Sequence, residues 1–261
     1  MINVIFLVLF IGVMAFYGYT SRLLTLSGSL AAFFVGLAVS LGLGMKGLMI
    51  LGFFFISSSF WSKYKSRSKA KIEERHEKGS RRDWQQVIAN GGTASLFSLL
   101  YLFFPQTIWI IGFAISLAAA NSDTWASEIG SLSKRRPFFI RTFKQIDAGT
   151  SGAVSLLGTF AAICGALSVS LLALYFFQLS IFAACVIFAF GFIGNLFDTL
   201  LGAFIQAVYR CEVCKMEVEA LSHCGKKTTF IRGLAFMNND FVNYSSGLLT
   251  AILGVLFVWI K

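Results

Sequence analysis

The sequence is short of charge. Only 13% of its 261 residues are Asp, Glu, Lys or Arg, and just 12 are acidic, whereas 57% are hydrophobic. A soluble domain carries about a quarter charged residues, so that class is excluded. The first apolar stretch lacks both a basic leader and a small-residue exit. This argues against a cleavable signal peptide and for a retained helix. What the chain has in abundance is apolar length: runs of roughly 18 residues or more recur throughout, enough to cross the hydrocarbon core as helices.

The expected fold is therefore all-α, a single integral membrane domain over residues 1–261 built as a polytopic helical bundle. Eight spans are predicted, at about 3–20, 25–44, 46–61, 84–104, 107–129, 152–177, 180–208 and 239–260. A seven-span alternative merges or omits an early segment. Of the 22 basic residues, 20 fall in alternate connections: Arg22, nine between Lys63 and Arg82, five between Lys134 and Lys144, and five between Arg210 and Arg232. Only Lys46 and Lys261 lie on the other side. The positive-inside rule makes the loaded side cytoplasmic and both termini extracytoplasmic. The same asymmetry accounts for the net charge of +10: the cations flank helices and face anionic lipid heads, so membrane lipids rather than nucleic acid are the partner. Residues 62–83 form a basic cytoplasmic loop.

Against this background the segment NSDTWASEIG, Asn121 to Gly130, raises a question. An ionised side chain at mid-membrane costs about 2.5–3.5 kcal/mol on insertion scales and is rarely kept without a use. Asp123, Glu128, Asp198 and Asp240 all fall within or at the ends of spans, and the topology puts all four in the cytoplasmic half. Asn90, Asn121, Asn195, Gln206, Asn239 and Asn243 join them there. Any one of these could simply hydrogen-bond helices together. Their convergence on one side predicts a shared hydrophilic cavity.

Asp123 and Asp198 are hard oxygen ligands suited to Mg²⁺, which takes one or two protein carboxylates and completes its shell with water and substrate phosphates. Asn239, Asp240 and Asn243 add oxygens, with 239 and 243 on one helix face. The cytoplasmic loop 131–151 leads into the next span through Gly149, Thr150, Ser151 and Gly152. Small residues before a helix start let backbone N–H groups approach an anion, and Arg141 and Lys144 supply mobile positive charge. Glycine and serine also cap helices without binding anything. Paired with carboxylates on the same side, the loop reads as a phosphate cradle facing a metal.

Five stretches now carry a resemblance: QVIANGG (86–92), NSDTWASEIG (121–130), GTSGAVSLLG (149–158), DTLLGAFIQ (198–206) and MNNDFVN (237–243). In this order they resemble the integral membrane family that includes the plant phytyl-phosphate kinase of vitamin E synthesis and transmembrane protein 19. A shorter pattern, Asp123-x2-Ala126-x3-Gly130 followed by Lys144 and Asp147-Ala148-Gly149, is similar to the CTP-using polyprenol kinases and phosphatidate cytidylyltransferases. The resemblance implies CTP-dependent transfer of phosphate to an isoprenyl monophosphate lipid, with Mg²⁺. Asp123, Asp198 and Lys144 would be catalytic. Arg141, Lys144, Gly149, Thr150, Ser151, Gly152, Asn90, Asn239, Asp240 and Asn243 would bind nucleotide and phosphate. A phosphate acceptor is already ionised at neutral pH, so the scarcity of histidine, with only His76 and His223, is no obstacle. The active site would face the cytoplasm from the cell membrane.

Two questions stay open in the sequence. Within loop 209–238, Cys211, Cys214, His223 and Cys224 could complete a tetrahedral structural Zn²⁺ site, although adjacent His223 and Cys224 reach one metal only with strain; the alternative is a loop of reduced thiols. Cys164 and Cys185 lie in apolar helices as small packing residues. A cytidylyltransferase would use the same metal and CTP, and buried polar groups also line transport paths or serve lipid-binding proteins. The extracytoplasmic halves, nearly free of charge, argue against transport.

Overall fold

The computed structural model describes residues 4–65 and 81–261. The part of the 62–83 loop between 66 and 80 therefore lies outside the described residues. Among the described residues seven helices form the bundle: α1 (Val4–Thr20), α2 (Leu26–Lys63), α3 (Trp84–Phe103), α4 (Thr107–Gly130), α5 (Leu156–Phe177), α6 (Ile181–Phe204) and α7 (Asn239–Ile260). The α2 segment is continuous but not straight. Gly44, at φ 59° and ψ −150°, is non-helical, a conformation open to glycine and costly for other residues. Both ends of α2 sit at the same end of the bundle. Arg82, paired with the residues before α2, accepts at its carbonyl from Thr25, and Lys63 Nζ donates to the Ser21 carbonyl at 3.0 Å. The two halves of α2 thus run out and back, with Gly47 packed on Val39 and Gly36 on Leu48. Each half is about 27 Å long at 1.5 Å per residue, close to the hydrocarbon thickness. The second and third expected spans are these two halves.

Five helices, α2, α3, α5, α6 and α7, are long and apolar enough to cross a membrane. The 17-residue α1 is shorter, and α4 is lowered in hydropathy by its polar last turns. Large apolar side chains such as Phe16, Phe34, Phe160, Tyr175 and Trp259 stand exposed around the bundle, the outward face expected where the solvent is lipid. α4 is the hub: it packs against α2, α3, α5, α6 and α7, and from Ile110 to Ser122 every residue except the partly covered Ala120 is buried. A helix apolar all round belongs in the centre. Its neighbours approach through small residues, with Gly191 facing Ala118 and Gly194 facing Ala119, the packing that lets helices associate without a hydrophobic driving force between them.

The connections 21–25, 131–155 and 205–238, with the described ends of 64–83, share one end of the bundle. Arg82 N–H donates to the Leu23 carbonyl at 3.0 Å, and Ser62 Oγ donates to Glu128 Oε1 at 2.6 Å. By connectivity Lys46, the start of α1 and Lys261 lie at the opposite end. Two segments depart from the spans expected. Residues 152–155 are not helical: Ala153–Val154 forms β2, antiparallel to β1 (Phe138–Phe139), and Ser155 caps α5 through its Oγ and Gly158 N at 3.0 Å. α6 stops at Phe204 because the chain enters a small sheet. There β3 (Val208–Arg210) lies between β4 (Glu217–Val218) and β7 (Thr229–Arg232), and Ala207 N donates to the Met237 carbonyl at 2.9 Å. A hairpin of β5 (Ser222–His223) and β6 (Lys226–Lys227) completes this 205–238 flap.

Candidate active site

The ten residues NSDTWASEIG divide by helix face. Asn121, wholly buried, accepts at Oδ1 from Ser57 Oγ (3.1 Å) and donates through Nδ2 to the Gly165 carbonyl (2.9 Å) and Ser168 Oγ (3.3 Å). Ser122 Oγ donates to the Ala162 carbonyl at 2.9 Å. Trp125 Nε1 reaches Ser57 Oγ, and Glu128 is held by Ser62 within electrostatic reach of Arg82. These groups fasten α4 to α2 and α5. Asp123, Ala126, Ser127 and Gly130 face elsewhere: they line a cavity of about 160 Å³ at the basic end of the bundle.

The other walls of that cavity come from α6, through Asn195, Asp198, Thr199 and Gly202, from the 148–155 loop, and from Asn239 at the start of α7. Asp198 is held firmly. Its Oδ2 accepts from Ser246 Oγ at 3.1 Å and, with the amide in its satisfied orientation, from Asn243 at 2.8 Å. Asp123 and Asp198 are close enough for their charges to act on each other. Gly149 and Gly152 both have φ 85° and bracket Thr150 and Ser151. A Cβ on Gly152 would stand 2.5 Å from that of Ala203, so the loop lies flat against the end of α6. Among the described residues, no lysine or arginine lines this cavity. Two facing carboxylates with neighbouring amide and hydroxyl oxygens are the donor set of a hard divalent cation, and Asp123, Asp198, Asn195, Thr199 and Asn239 fit Mg²⁺ in chemistry.

Not every predicted residue reaches this place. The side chains of Arg141 and Lys144 are exposed beyond β1 and line neither this cavity nor its neighbour, and the Lys144 carbonyl accepts from Phe139 N at 2.9 Å. Asn90 donates to the Gln86 carbonyl at 2.9 Å and lines a separate apolar groove of about 340 Å³ between α1, α2 and α3. Asp240 is buried in the first turn of α7, and Asn243 acts through Asp198.

The structure supplies cations that the sequence pattern does not single out. Beside the carboxylate cavity runs a polar cleft of about 420 Å³, lined by Arg136, Phe139, Asp147, Met216, Glu217 and Arg232 among others. Thr150 lines both spaces. Arg232 is fixed there by a 2.9 Å bond from Nη1 to the Ala203 carbonyl and by stacking over Phe139 at 5.5 Å. The flap also brings in a third carboxylate: Ser151 Oγ hydrogen-bonds Glu219 Oε1, and the charge of Glu219 reaches Asp198.

Farther along the flap, Cys211, Cys214, His223 and Cys224 come together, their ligand atoms all within 4.8 Å of one another. The backbone N–H of Cys214 points at the Cys211 sulfur and, with further hydrogen bonds, brings that thiol down to about 6.

Known proteins agree with this picture at the level of family. Residues 9–251 match the family described as integral membrane protein DUF92. Protein PGR of Arabidopsis thaliana is 31% identical, over 96% of this chain and 94% of its own. An uncharacterized membrane protein of Methanocaldococcus jannaschii is 34% identical over 76% of this chain and 82% of its own. The chloroplastic protein VTE6 of Arabidopsis is 26% identical over 91% of this chain and 68% of its own. No solved structure matches. The chain belongs to the DUF92 family of integral membrane proteins.

Proposed function

We propose that the protein is a membrane phosphotransferase that moves the γ-phosphate of CTP onto an isoprenyl monophosphate, giving the diphosphate. The observation that carries this reading is the meeting of Asp123, Asp198 and the Gly149–Gly152 loop in one cavity, with an arginine-lined cleft across Thr150. A triphosphate lying over Thr150 would have its terminal phosphates at the carboxylates and the rest of the nucleotide between Arg136 and Arg232. The relationship to VTE6 and the resemblance to phytyl-phosphate kinase support the same chemistry.

In this reading Asp123 and Asp198 hold Mg²⁺, with Asp198 oriented by Ser246 and Asn243. When bound, the ion neutralises charge on the transferring phosphoryl group. An oxygen of the acceptor phosphate forms the new P–O bond, the bond between the β- and γ-phosphates breaks, and CDP leaves with that electron pair. The acceptor oxygen is already anionic, so no side chain need remove a proton. Gly149 and Gly152 keep the loop bare of side chains so that phosphate can approach its backbone. Arg232, tied to the Ala203 carbonyl, offers a fixed fork to the nucleotide phosphates. The isoprenyl tail stays in the bilayer beside the cavity. The uncharged stretch of α4 from Ile110 to Ala119, buried throughout, supports a site with one entrance rather than a path across the membrane.

The test incubates purified protein with Mg²⁺, γ-labelled CTP and an isoprenyl monophosphate. Label in the lipid is expected. Label in pyrophosphate would instead assign cytidylyltransferase chemistry, and label in neither would remove the nucleotide reading.

A further inference from the structure

We propose that the flap carries one zinc ion, bound by the Sγ atoms of Cys211, Cys214 and Cys224 and by Nδ1 of His223, which holds the flap in its fold beside the carboxylate cavity. The sequence alone leaves this undecided, because adjacent His223 and Cys224 can turn toward one point only in a strained backbone conformation. The geometry removes that difficulty. Cys224 and Gly225 are the two central residues of the β5–β6 hairpin, and both have positive φ, 51° and 73°. A two-residue hairpin turn of this kind favours Asn-Gly, and a cysteine at its first position pays a conformational penalty. What the conformation achieves is visible in the distances. His223 Nδ1 lies 3.3 Å from Cys224 Sγ and 3.4 Å from Cys214 Sγ. Tetrahedral zinc, with Zn–S about 2.3 Å and Zn–N about 2.0–2.1 Å, requires S···N edges of about 3.6 Å.

The opposite half of the site is a tight turn. Lys215 N donates to the Cys211 carbonyl at 2.9 Å and Cys211 N to the Met216 carbonyl at 3.0 Å, folding Cys211-x2-Cys214 so that both sulfurs face the hairpin. Cys211 is buried, and the other ligands are reachable from solvent, so an ion can enter. The flap also has little else to hold it. Its strands are two to four residues long, and the ion pair between Arg210 and Glu217 at 3.6 Å is exposed. A closed four-ligand site is the usual means of stabilising so small a fold. The consequence reaches the proposed active site: the turn and the hairpin flank the segment 216–219, which lends Met216 and Glu217 to the arginine cleft and Glu219 to Ser151. That consequence rests on the proposed function, whereas zinc binding does not.

Metal analysis of protein purified without chelator tests the site itself. One zinc per chain is expected, and Cys214→Ser and Cys224→Ser should each lose it. Should those variants fail to fold, Co²⁺ exchanged into the wild type should give the intense visible bands of a tetrahedral thiolate site. Stripping the metal should also open the Lys215 and Lys226–Lys227 bonds to trypsin while the helices remain intact. Zinc below about a tenth of an equivalent in folded protein would overturn the proposal. So would a disulfide among the three thiols, or trypsin cleavage unchanged by chelation.

Discussion

Two faces of one helix use the same kinds of residue for different ends. On the face of α4 toward α2 and α5, Asn121 makes three hydrogen bonds at 2.9–3.3 Å, and Glu128 is met by Ser62 at 2.6 Å. Polarity there is consumed by protein partners. On the face toward α6, Asp123 looks across a cavity at another carboxylate, and its neighbours Ala126 and Gly130 are too small to fill the space. Two carboxylates gathered where either charge alone is costly repel each other unless a cation or a proton compensates them. The difference between the faces shows that polarity in a membrane helix does not by itself mark a site: what matters is whether the protein itself answers it.

If the comparison holds, substitutions on the two faces should separate activity from stability. The largest effect belongs to Asp123→Asn. Loss of a charge that holds the metal should cost several kcal/mol in the transition state, on the order of a thousandfold in rate. The thermal midpoint of the detergent-solubilised protein should not fall, because a buried like-charge pair has been relieved. Assay and melting curve on one preparation check both halves. Next comes Asn121→Ala, which removes the hydrogen bonds that tie α4 to Ser57 on α2 and to the Gly165 carbonyl and Ser168 on α5. It should lower stability by about 1–2 kcal/mol and spare the turnover of molecules that remain folded. An unfolding titration read alongside specific activity would show it. Glu128→Gln is smallest. The amide can still accept from Ser62, so stability should change by less than about 1 kcal/mol and turnover by less than about threefold. A Glu128→Gln protein as inactive as Asp123→Asn would erase the distinction between the faces.

Much of this arrangement was legible in the residues. Asp123 and Asp198 could be placed at one membrane level because charge asymmetry fixed the direction of each span, and the glycine loop fell at the same level by connectivity. Asn239 joined them for the same reason. The two early spans were correctly separated near Gly44, although the fold-back of α2 depends on a single φ that composition does not encode. The flap was less readable. The apolar run of α6 continues through Ala207 and Val208, which suit a strand as well as a helix, and strands of two to four residues show no periodicity. Without the β4–β3–β7 pairing, nothing distinguishes Arg232, Arg136 and Glu219 from the other charges of their loops. Lys144 and Arg141 were favoured by nearness along the chain to Gly149, while the β1–β2 pairing leaves their side chains exposed and outside the cavity wall.

The central claim, that Asp123 and Asp198 together hold a divalent cation, can be tested without knowing the substrate. Mn²⁺ has a paramagnetic resonance signal that is lost on binding, so titrating it into purified protein counts sites and gives affinity directly. Protein already saturated with zinc keeps the flap cysteines out of the measurement. A Mn²⁺ site is expected that Mg²⁺ displaces and that Asp123→Asn and Asp198→Asn each weaken by at least about tenfold. Folded double-variant protein that binds Mn²⁺ as the wild type does would contradict it.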